Sequence, residues 1–325
     1  MTTYLKWLRD RVGTEPVILV YATALIRDRA GRILFQHRGD FPIWGLPGGL
    51  LEPGETILET LVREAREETG YEIAPRRFVG LYTSPEYAVH YRNGDLVQQV
   101  TACFECGITG GDSRPDGHES LAQEFLTPAQ APPMFPWYEQ MLRDAESTRS
   151  GPTRFDAGTA TGTNPYPDGL VRFIRSKVGR EPILLPCACA VIRDSDGRVA
   201  LIRRSDSGLW GQPCGAMEVG ERIDVTITRE VLEETGLEVR AERLTGFYAG
   251  PEQRNVYPNG DQVWLATAVF LCTITGGAPR PDGIETTDVG FFEIDNLPFE
   301  NNPWAKRTRR RIADALHGGP EAAAD

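Results

Sequence analysis

Residues 49–71 read GLLEPGETILETLVREAREETGY, and residues 215–237 read GAMEVGERIDVTITREVLEETGL. Seven residues stand at the same spacing in both: Gly49, Glu55, Arg63, Glu64, Glu67, Glu68 and Gly70 answer to Gly215, Glu221, Arg229, Glu230, Glu233, Glu234 and Gly236. Such a set would recur by chance roughly once in 10⁸ positions at average residue usage. The offset is 215 − 49 = 166, and it holds far from these stretches. Val12-Gly13, Trp44-Gly45, Pro85-Glu86, Asn93-Gly94-Asp95 and Pro115-Asp116-Gly117 all meet their counterparts 166 residues later. One domain-sized unit is therefore duplicated, and a solenoid of short repeats is excluded.

Outward from the repeated stretch, Pro16 to Ile26 and Ile33 to Phe35 are apolar, β-rich runs around a turn at Asp28 to Gly31, which predicts paired strands. Ile183 to Ile192 and Val199 to Ile202 repeat the pattern around Asp194 to Gly197. Further strands are expected at Phe78 to Tyr82 and Val97 to Ile108. Helical periodicity takes over at Thr56 to Thr69 and Arg222 to Thr235. The fold class expected is α/β (α+β), with two α/β/α sandwich domains on mixed β-sheets. The Gly/Pro/Thr-rich stretch between the copies reads as a linker. That divides the chain into residues 1–148, a linker at 149–169, a second domain at 170–317 and a fraying tail at 318–325. The segment KRTRRR, residues 306–311, reads as a basic helix with a solvated face or, less in keeping with an acidic chain, a nucleic-acid patch.

On a helix, Glu64, Glu67 and Glu68 stand at i, i+3 and i+4, so three carboxylates share a face beside an apolar one of Leu58, Leu61, Val62 and Ala65. At an effective dielectric near 20, carboxylates about 6 Å apart repel by roughly 3 kcal/mol per pair, a cost that hard cations with oxygen ligands reverse. Mg2+ is the natural occupant, with Mn2+ as substitute. The glycine-rich loop of residues 45–49 ahead of the helix permits close backbone approach to a ligand.

Both stretches fit the pattern G-x5-E-x7-R-E-U-x-E-E-x-G-U, with U apolar and Tyr71 the one loose position. The chain thus resembles the Nudix hydrolase family, twice over. The resemblance implies that Glu64, Glu67, Glu68, Glu230, Glu233 and Glu234 hold metal, joined by loop carbonyls of Gly48 and Cys214. It implies that Glu55 with Arg63, and Glu221 with Arg229, fix the loop bearing Gly49 or Gly215 against the helix. It further implies metal-polarised water attacking phosphorus in a nucleoside diphosphate linked to another group, ADP-ribose-like or a nucleoside triphosphate. Glu119 and Glu285 match the later-loop glutamate that many relatives use catalytically. Arg38 and Arg204 stand where relatives often contact phosphate, or are plain surface arginines; Trp44 and Trp210 either stack on a base or pack beneath the loop. Pro85 and Pro251 lie near a proline of ADP-ribose-cleaving relatives, while Tyr87 is similar to a feature of dinucleoside polyphosphate hydrolases.

The copies differ at Gly48/Cys214, Leu58/Asp224 and Leu46/Gln212. Two working hydrolases, one hydrolase with a substrate-shaping or dimer-mimicking partner domain, and a nucleotide-sensing binding protein are the candidate functions. Net charge of −11 over 325 residues disfavours a nucleic-acid partner held through phosphates and suits a small-molecule nucleotide enzyme. The opening MTTYLKWLRDRVG lacks the apolar core of a signal peptide, and no run is long enough to span a membrane, so a cytoplasmic protein is expected. Six scattered cysteines then read as reduced thiols, with Cys103 and Cys106 as small core residues rather than zinc ligands. Duplication also predicts that the halves pack as an intramolecular pseudo-dimer within a monomeric chain.

Overall fold

The structure, a computed structural model, describes residues 3–115, 117–147, 151–156 and 161–325. Asp116 of the Pro115-Asp116-Gly117 repeat, residues 148–150 and the linker residues 157–160 lie outside the described residues. The first half runs α1 (Tyr4–Val12), β1 (Val17–Arg27), β2 (Ile33–Arg38), β3 (Trp44–Gly45), β4 (Gly48–Leu50), α2 (Ile57–Thr69), β5 (Tyr71–Tyr82), β6 (Val89–His90), β7 (Leu96–Gly111), β8 (Ser120–Leu126), α3 (Pro136–Ser147) and β9 (Arg154–Phe155). The second half repeats it as α4 (Leu170–Val178), β10 (Ile183–Arg193), β11 (Val199–Arg204), β12 (Trp210–Gly211), β13 (Cys214–Ala216), α5 (Ile223–Thr235), β14 (Leu237–Tyr248), β15 (Arg254–Val256), β16 (Gln262–Gly277), β17 (Thr286–Phe292), α6 (Ala305–His317) and β18 (Ala323–Ala324).

Each half is a mixed sheet, with main strand order β3-β2-β1-β7-β5-β9 in the first and the matching order in the second. β1 lies parallel to β7 along its whole length, from Val17 opposite Val97 to Arg27 opposite Gly107. This strand is central, which explains its nearly unbroken apolar sequence: ten of its eleven residues read VILVYATALI, and both faces are covered. The two faces separate cleanly along β5. Phe78 and Leu81 join the core under α2, while Val79 and Tyr82 join the cluster of Trp137, Met141 and Leu142 from α3. Helix on one face, helix on the other and a mixed sheet between them give the layered α/β/α arrangement expected.

α2 begins with a reciprocal capping box, Thr56 accepting from the Glu59 amide and Glu59 from the Thr56 amide, and ends on Gly70 in the left-handed conformation. Its buried face is Ile57, Leu61 and Ala65, together with Glu68. Val62, expected on the apolar face, is instead 37% exposed, because the buried stripe turns toward Glu68. α1 and α4, which the sequence reading had not separated, bury Tyr4, Leu8 and Val12, and Leu170, Ile174 and Val178, at i, i+4 and i+8.

Two expectations are corrected. The C-terminal tail does not fray: Ala323 and Ala324 pair with Gly246 and Phe247 of β14, and the Asp325 carboxylate binds Arg310 at 2.7 Å. The linker supplies the matching piece to the first half, Arg154 and Phe155 pairing with Gly80 and Leu81 of β5. Each edge strand satisfies backbone groups that would otherwise face water unpaired. The second correction concerns cysteine. Cys189 and Cys214 form a disulfide, because β10 and β13 place them directly opposite in antiparallel register with Cα atoms 4.1 Å apart. Cys103, Cys106, Cys187 and Cys272 are buried free thiols. Among the described residues no helix is long and apolar enough to cross a membrane.

Contacts between the halves are reciprocal. The Gln98 side chain accepts from the Gly220 amide at 2.8 Å and donates to the Glu221 carbonyl at 2.6 Å; 166 residues on, Trp264 lies against Gly54. The Ile223 amide at the start of α5 donates to Thr83 Oγ1, and the Ile57 amide at the start of α2 donates to the Asp325 carbonyl. Tyr4 Oη accepts from the Leu184 amide at 2.9 Å, and one hydrophobic cluster runs through both halves.

Candidate active site

The acidic helix of each half lies over a three-residue strand cut from the glycine loop. In the first half β4 pairs with β1, Gly48 opposite Thr23 and Gly49 opposite Ala22. A Cβ on Gly49 would collide with the Glu64 carboxyl, and one on Gly215 with that of Glu230, so glycine is what lets helix and loop meet. Arg63 grips Glu55 through two hydrogen bonds of 2.7 and 2.8 Å and also donates to the Leu50 carbonyl at 3.0 Å. Arg229 does the same with Glu221 at 2.6 and 3.1 Å and with the Ala216 carbonyl at 3.3 Å. The planar guanidinium fork suits this bidentate clamp between loop and helix.

The three glutamates do not share one environment. Glu67 and Glu233 have side chains 61% and 57% exposed, Glu64 and Glu230 are half-buried at 12% and 14%, and Glu68 and Glu234 are buried. Glu68 accepts the Gly48 amide at 2.7 Å and the Gln36 amide group at 3.1 Å. Burial nevertheless pushes it up to about 8, with Glu64 adding repulsion. Burial likewise raises Glu230 to about 7 and Glu234 well above the usual carboxylate range. Among the described residues Glu234 keeps only the loop amide, from Cys214 at 3.0 Å, because Ile202 replaces Gln36 in the second copy.

These are hard oxygen donors held out of water with incomplete compensation, the chemistry that fits a divalent cation. As arranged, no three His, Cys, Asp or Glu side chains among the described residues stand at metal-binding spacing. The Arg63 guanidinium bridges Glu64 at 2.6 Å and Glu67 at 3.3 Å, and Arg229 bridges Glu230 and Glu233 at 2.7 and 3.0 Å. Ion binding therefore entails a turn of these side chains.

The remaining candidates divide. Glu119 lines the first cleft, near enough to Glu64 to raise its pKa, and Glu285 lines the second and acts the same way on Glu230 and Glu234. Arg38 lines the first cleft, bound to Asp40 at 2.6 Å and to Tyr138 Oη at 3.2 Å. Arg204 lines the second, bound to Asp206 at 2.7 Å and lying over the Tyr257 ring. Trp44 and Trp210 are not brought to the clefts. Trp44 packs edge-on against His37 beside the α3 cluster, and Trp210 packs edge-on against Phe292, so both are framework for the loop. Phe135, Trp137, Tyr138 and Tyr91, not singled out in the sequence, wall the far end of the first cleft, whose volume is about 560 Å³. Arg307 and Arg311, read as part of a solvated helix, turn inward beside Arg204. Their sequence signal was the KRTRRR run, but only the packing of α6 tells which arginines face in.

Fold and site together define a hydrolase class in which a glycine loop and a carboxylate-bearing helix form the reactive surface on a mixed sheet. The NUDIX domain model matches residues 18–145 and 184–314, and the chain belongs to the Nudix hydrolase family, with two such domains in tandem. It is 34% identical over 111 residues, 34% of its length, to a putative 8-oxo-dGTP diphosphatase of Bacillus subtilis, covering 68% of that protein. It is 31% identical over 110 residues, 33% of its length, to an ADP-ribose pyrophosphatase of Methanocaldococcus jannaschii, covering 61% of it. It is 30% identical over 119 residues, 36% of its length, to an NAD-capped RNA hydrolase of Vibrio atlanticus, covering 40% of it. Divalent metal ions are the general requirement of the family.

Proposed function

We propose that each half hydrolyses a phosphoanhydride bond in a nucleoside diphosphate linked to another group, ADP-ribose-like or a nucleoside triphosphate, with Mg2+ and with Mn2+ as substitute. The observation that carries this is the buried pair Glu68 and Glu234, each tied to its loop amide and each raised by burial next to a second glutamate. Glu64, Glu67 and Glu68, and Glu230, Glu233 and Glu234, would hold the ions, with loop carbonyls at Gly48 and Cys214 as further donors. When bound, the ions supply Lewis acidity to the attacking water and to the leaving phosphate. Arg63 and Arg229 hold the helix at a fixed height over the loop, so the carboxylates stay in register with the scissile bond. Glu119 and Glu285, facing the clefts from the other side, accept the proton that the water loses. Arg38 and Arg204 orient the diphosphate.

The halves act as an intramolecular pseudo-dimer, a reading supported by the reciprocal contacts of Gln98 with Gly220 and Trp264 with Gly54. The units proposed are residues 1–148 and 170–317, each closed by the edge strand that follows it. A second reading, in which the second half only supports the first, is favoured by Cys214 being tied into a disulfide.

The test is release of phosphate or nucleotide across a panel of ADP-ribose, dinucleoside polyphosphates and nucleoside triphosphates. Turnover is expected on at least one class, lost in excess EDTA and restored by Mg2+ or Mn2+. Turnover that persists in EDTA, or none on any class, overturns the reading.

A further inference from the structure

The second half contains a small cavity with no equivalent lining in the first. It has a volume of about 130 Å³ and shares Arg204, Cys214, Gly215 and Tyr257 with the acidic cleft, so the two are continuous. Arg307 and Arg311 of α6 line it, and no acidic residue does. Arg311 is 5% exposed, and among the described residues its contacts are neutral, to Gln253 Oε1 at 2.6 Å, Cys189 Sγ at 3.5 Å and the Tyr248 ring, with its buried Nε finding no acceptor. Arg307 likewise donates to the Glu252 carbonyl at 3.1 Å and Asn255 Oδ1 at 2.8 Å and lies over the Trp304 ring. Burial and the repulsion of Arg311 lower Arg307 to about 10. A buried and a half-buried guanidinium side by side, with no carboxylate bound to either among the described residues, are costly in any folded chain unless an anion comes to them.

The same place in the first half is apolar. Tyr82 bonds Asp144 and Tyr248 bonds Asp314, while Arg77 and Arg243 reach the carbonyls of Ala145 and Ala315. The last helices therefore align at an offset of 170, since 314 − 144 = 315 − 145 = 170. Arg307 then stands where Trp137 does, and Arg311 where the buried Met141 does. Trp137 belongs to an aromatic wall in a cleft of about 560 Å³, within the range of about 300 to 1,000 Å³ that takes a whole small-molecule ligand. At about 130 Å³ the arginine cavity takes a single compact group.

We propose that this cavity binds a phosphate monoester, so that the ligand of the second half is a nucleoside diphosphate derivative carrying a further phosphate away from the anhydride. This rests on the acidic cleft of that half holding the diphosphate. A monoester near −2 at neutral pH matches two guanidinium groups in charge, and its oxygens suit their donors.

The test is calorimetric binding to the full chain made inert by Glu68→Gln and Glu234→Gln, with AMP, adenosine 2′,5′-bisphosphate and adenosine 3′,5′-bisphosphate as probes. One bisphosphate is expected to bind at least about tenfold more tightly than AMP, and Arg311→Met to remove that preference. Arg307→Gln, read by the same titration, covers the case in which Arg311→Met fails to fold; Arg311→Lys should keep part of the preference. Absence of any preference, or a preference that survives both Arg307→Gln and Arg311→Met, overturns the proposal. The Glu68→Gln chain is assayed in parallel for hydrolysis. Preference without hydrolysis supports the phosphate site while removing the second half as an enzyme, and hydrolysis without preference does the reverse.

Discussion

The two clefts share one acidic apparatus, with Arg38 and Glu119 answering to Arg204 and Glu285, and differ at the support of the buried glutamate and at the far wall. In the first, Glu68 is held by the Gly48 amide and by Gln36, and the far wall is Phe135, Trp137 and Tyr138. In the second, Glu234 has only the Cys214 amide, that residue is cross-linked to Cys189, and the far wall is arginine. On the proposed function, duplication has kept the glutamates that would hold the ions and changed residues that would meet the rest of the ligand. That reading makes the difference one of recognition before competence, on the ground that carboxylates buried at such cost are retained in both halves.

Removing one charge from each apparatus is the sharpest way to break this comparison. Glu68→Gln and Glu234→Gln preserve side-chain size, and glutamine can still accept the loop amide, so the fold should hold while cation affinity falls. Each is expected to lower kcat/KM of its own half by about 10² to 10³, and only the double variant should be inert. Different substrates should respond to each, because the far walls differ. If Glu68→Gln, folded by circular dichroism, shows no residual metal-dependent hydrolysis on any nucleotide the parent cleaves, the second cleft is not an enzyme.

Much of this was legible in the sequence, and for a physical reason. The central strands are buried on both faces and so must be apolar throughout, and the glutamates must recur at helical spacing to meet a loop. The clamp of Glu55 on Arg63 is a local pairing across eight residues, within reach of a motif. What escaped was non-local. Whether Arg311 faces solvent depends on the pitch of α6 against β14 and β16, and whether Cys189 meets Cys214 depends on the register of two strands. The edge strands at Arg154–Phe155 and Ala323–Ala324 are too short to carry a pattern of their own; only an open edge nearby gives them a partner.

The disulfide offers a second break. Cys214 stands at the position of Gly48, and Cys189 at that of Thr23. A loop closed across a separation of 25 residues stabilises by about 3.5 kcal/mol in the chain-entropy account. Reduction, or the pair Cys189→Thr and Cys214→Gly, should lower the melting temperature of the second half and leave the first unchanged. Calorimetric scans with and without reductant would resolve this, and identical scans would mean that the bond carries no stability.

The smallest expected effect concerns the acids that close each half. Asp156 and Asp325 both follow an edge strand. Asp325 pairs with Arg310 at 2.7 Å, whereas Asp156 is half-buried, its carboxylate accepting the amides of Thr83 and Ser84 and forming no ion pair among the described residues. Burial, with a contribution from Asp224 across the halves, raises Asp156 to about 6. The unfolded value is near 4, so the folded chain holds this proton more tightly than the unfolded one. The associated stability is then fully present below about pH 4 and lost as pH rises through about 6, by about 3 kcal/mol in all. Asp156→Asn keeps an oxygen that accepts both amides and removes the charge that burial penalises. Its stability relative to the parent should therefore grow between pH 4 and 6 and level off above, as read from urea midpoints across that range. Asp325→Asn removes a partner of Arg310 instead, so the same series should give it the opposite sign at neutral pH. A flat difference for Asp156→Asn would show that solvent reaches this carboxylate and that the junction between the halves is open there.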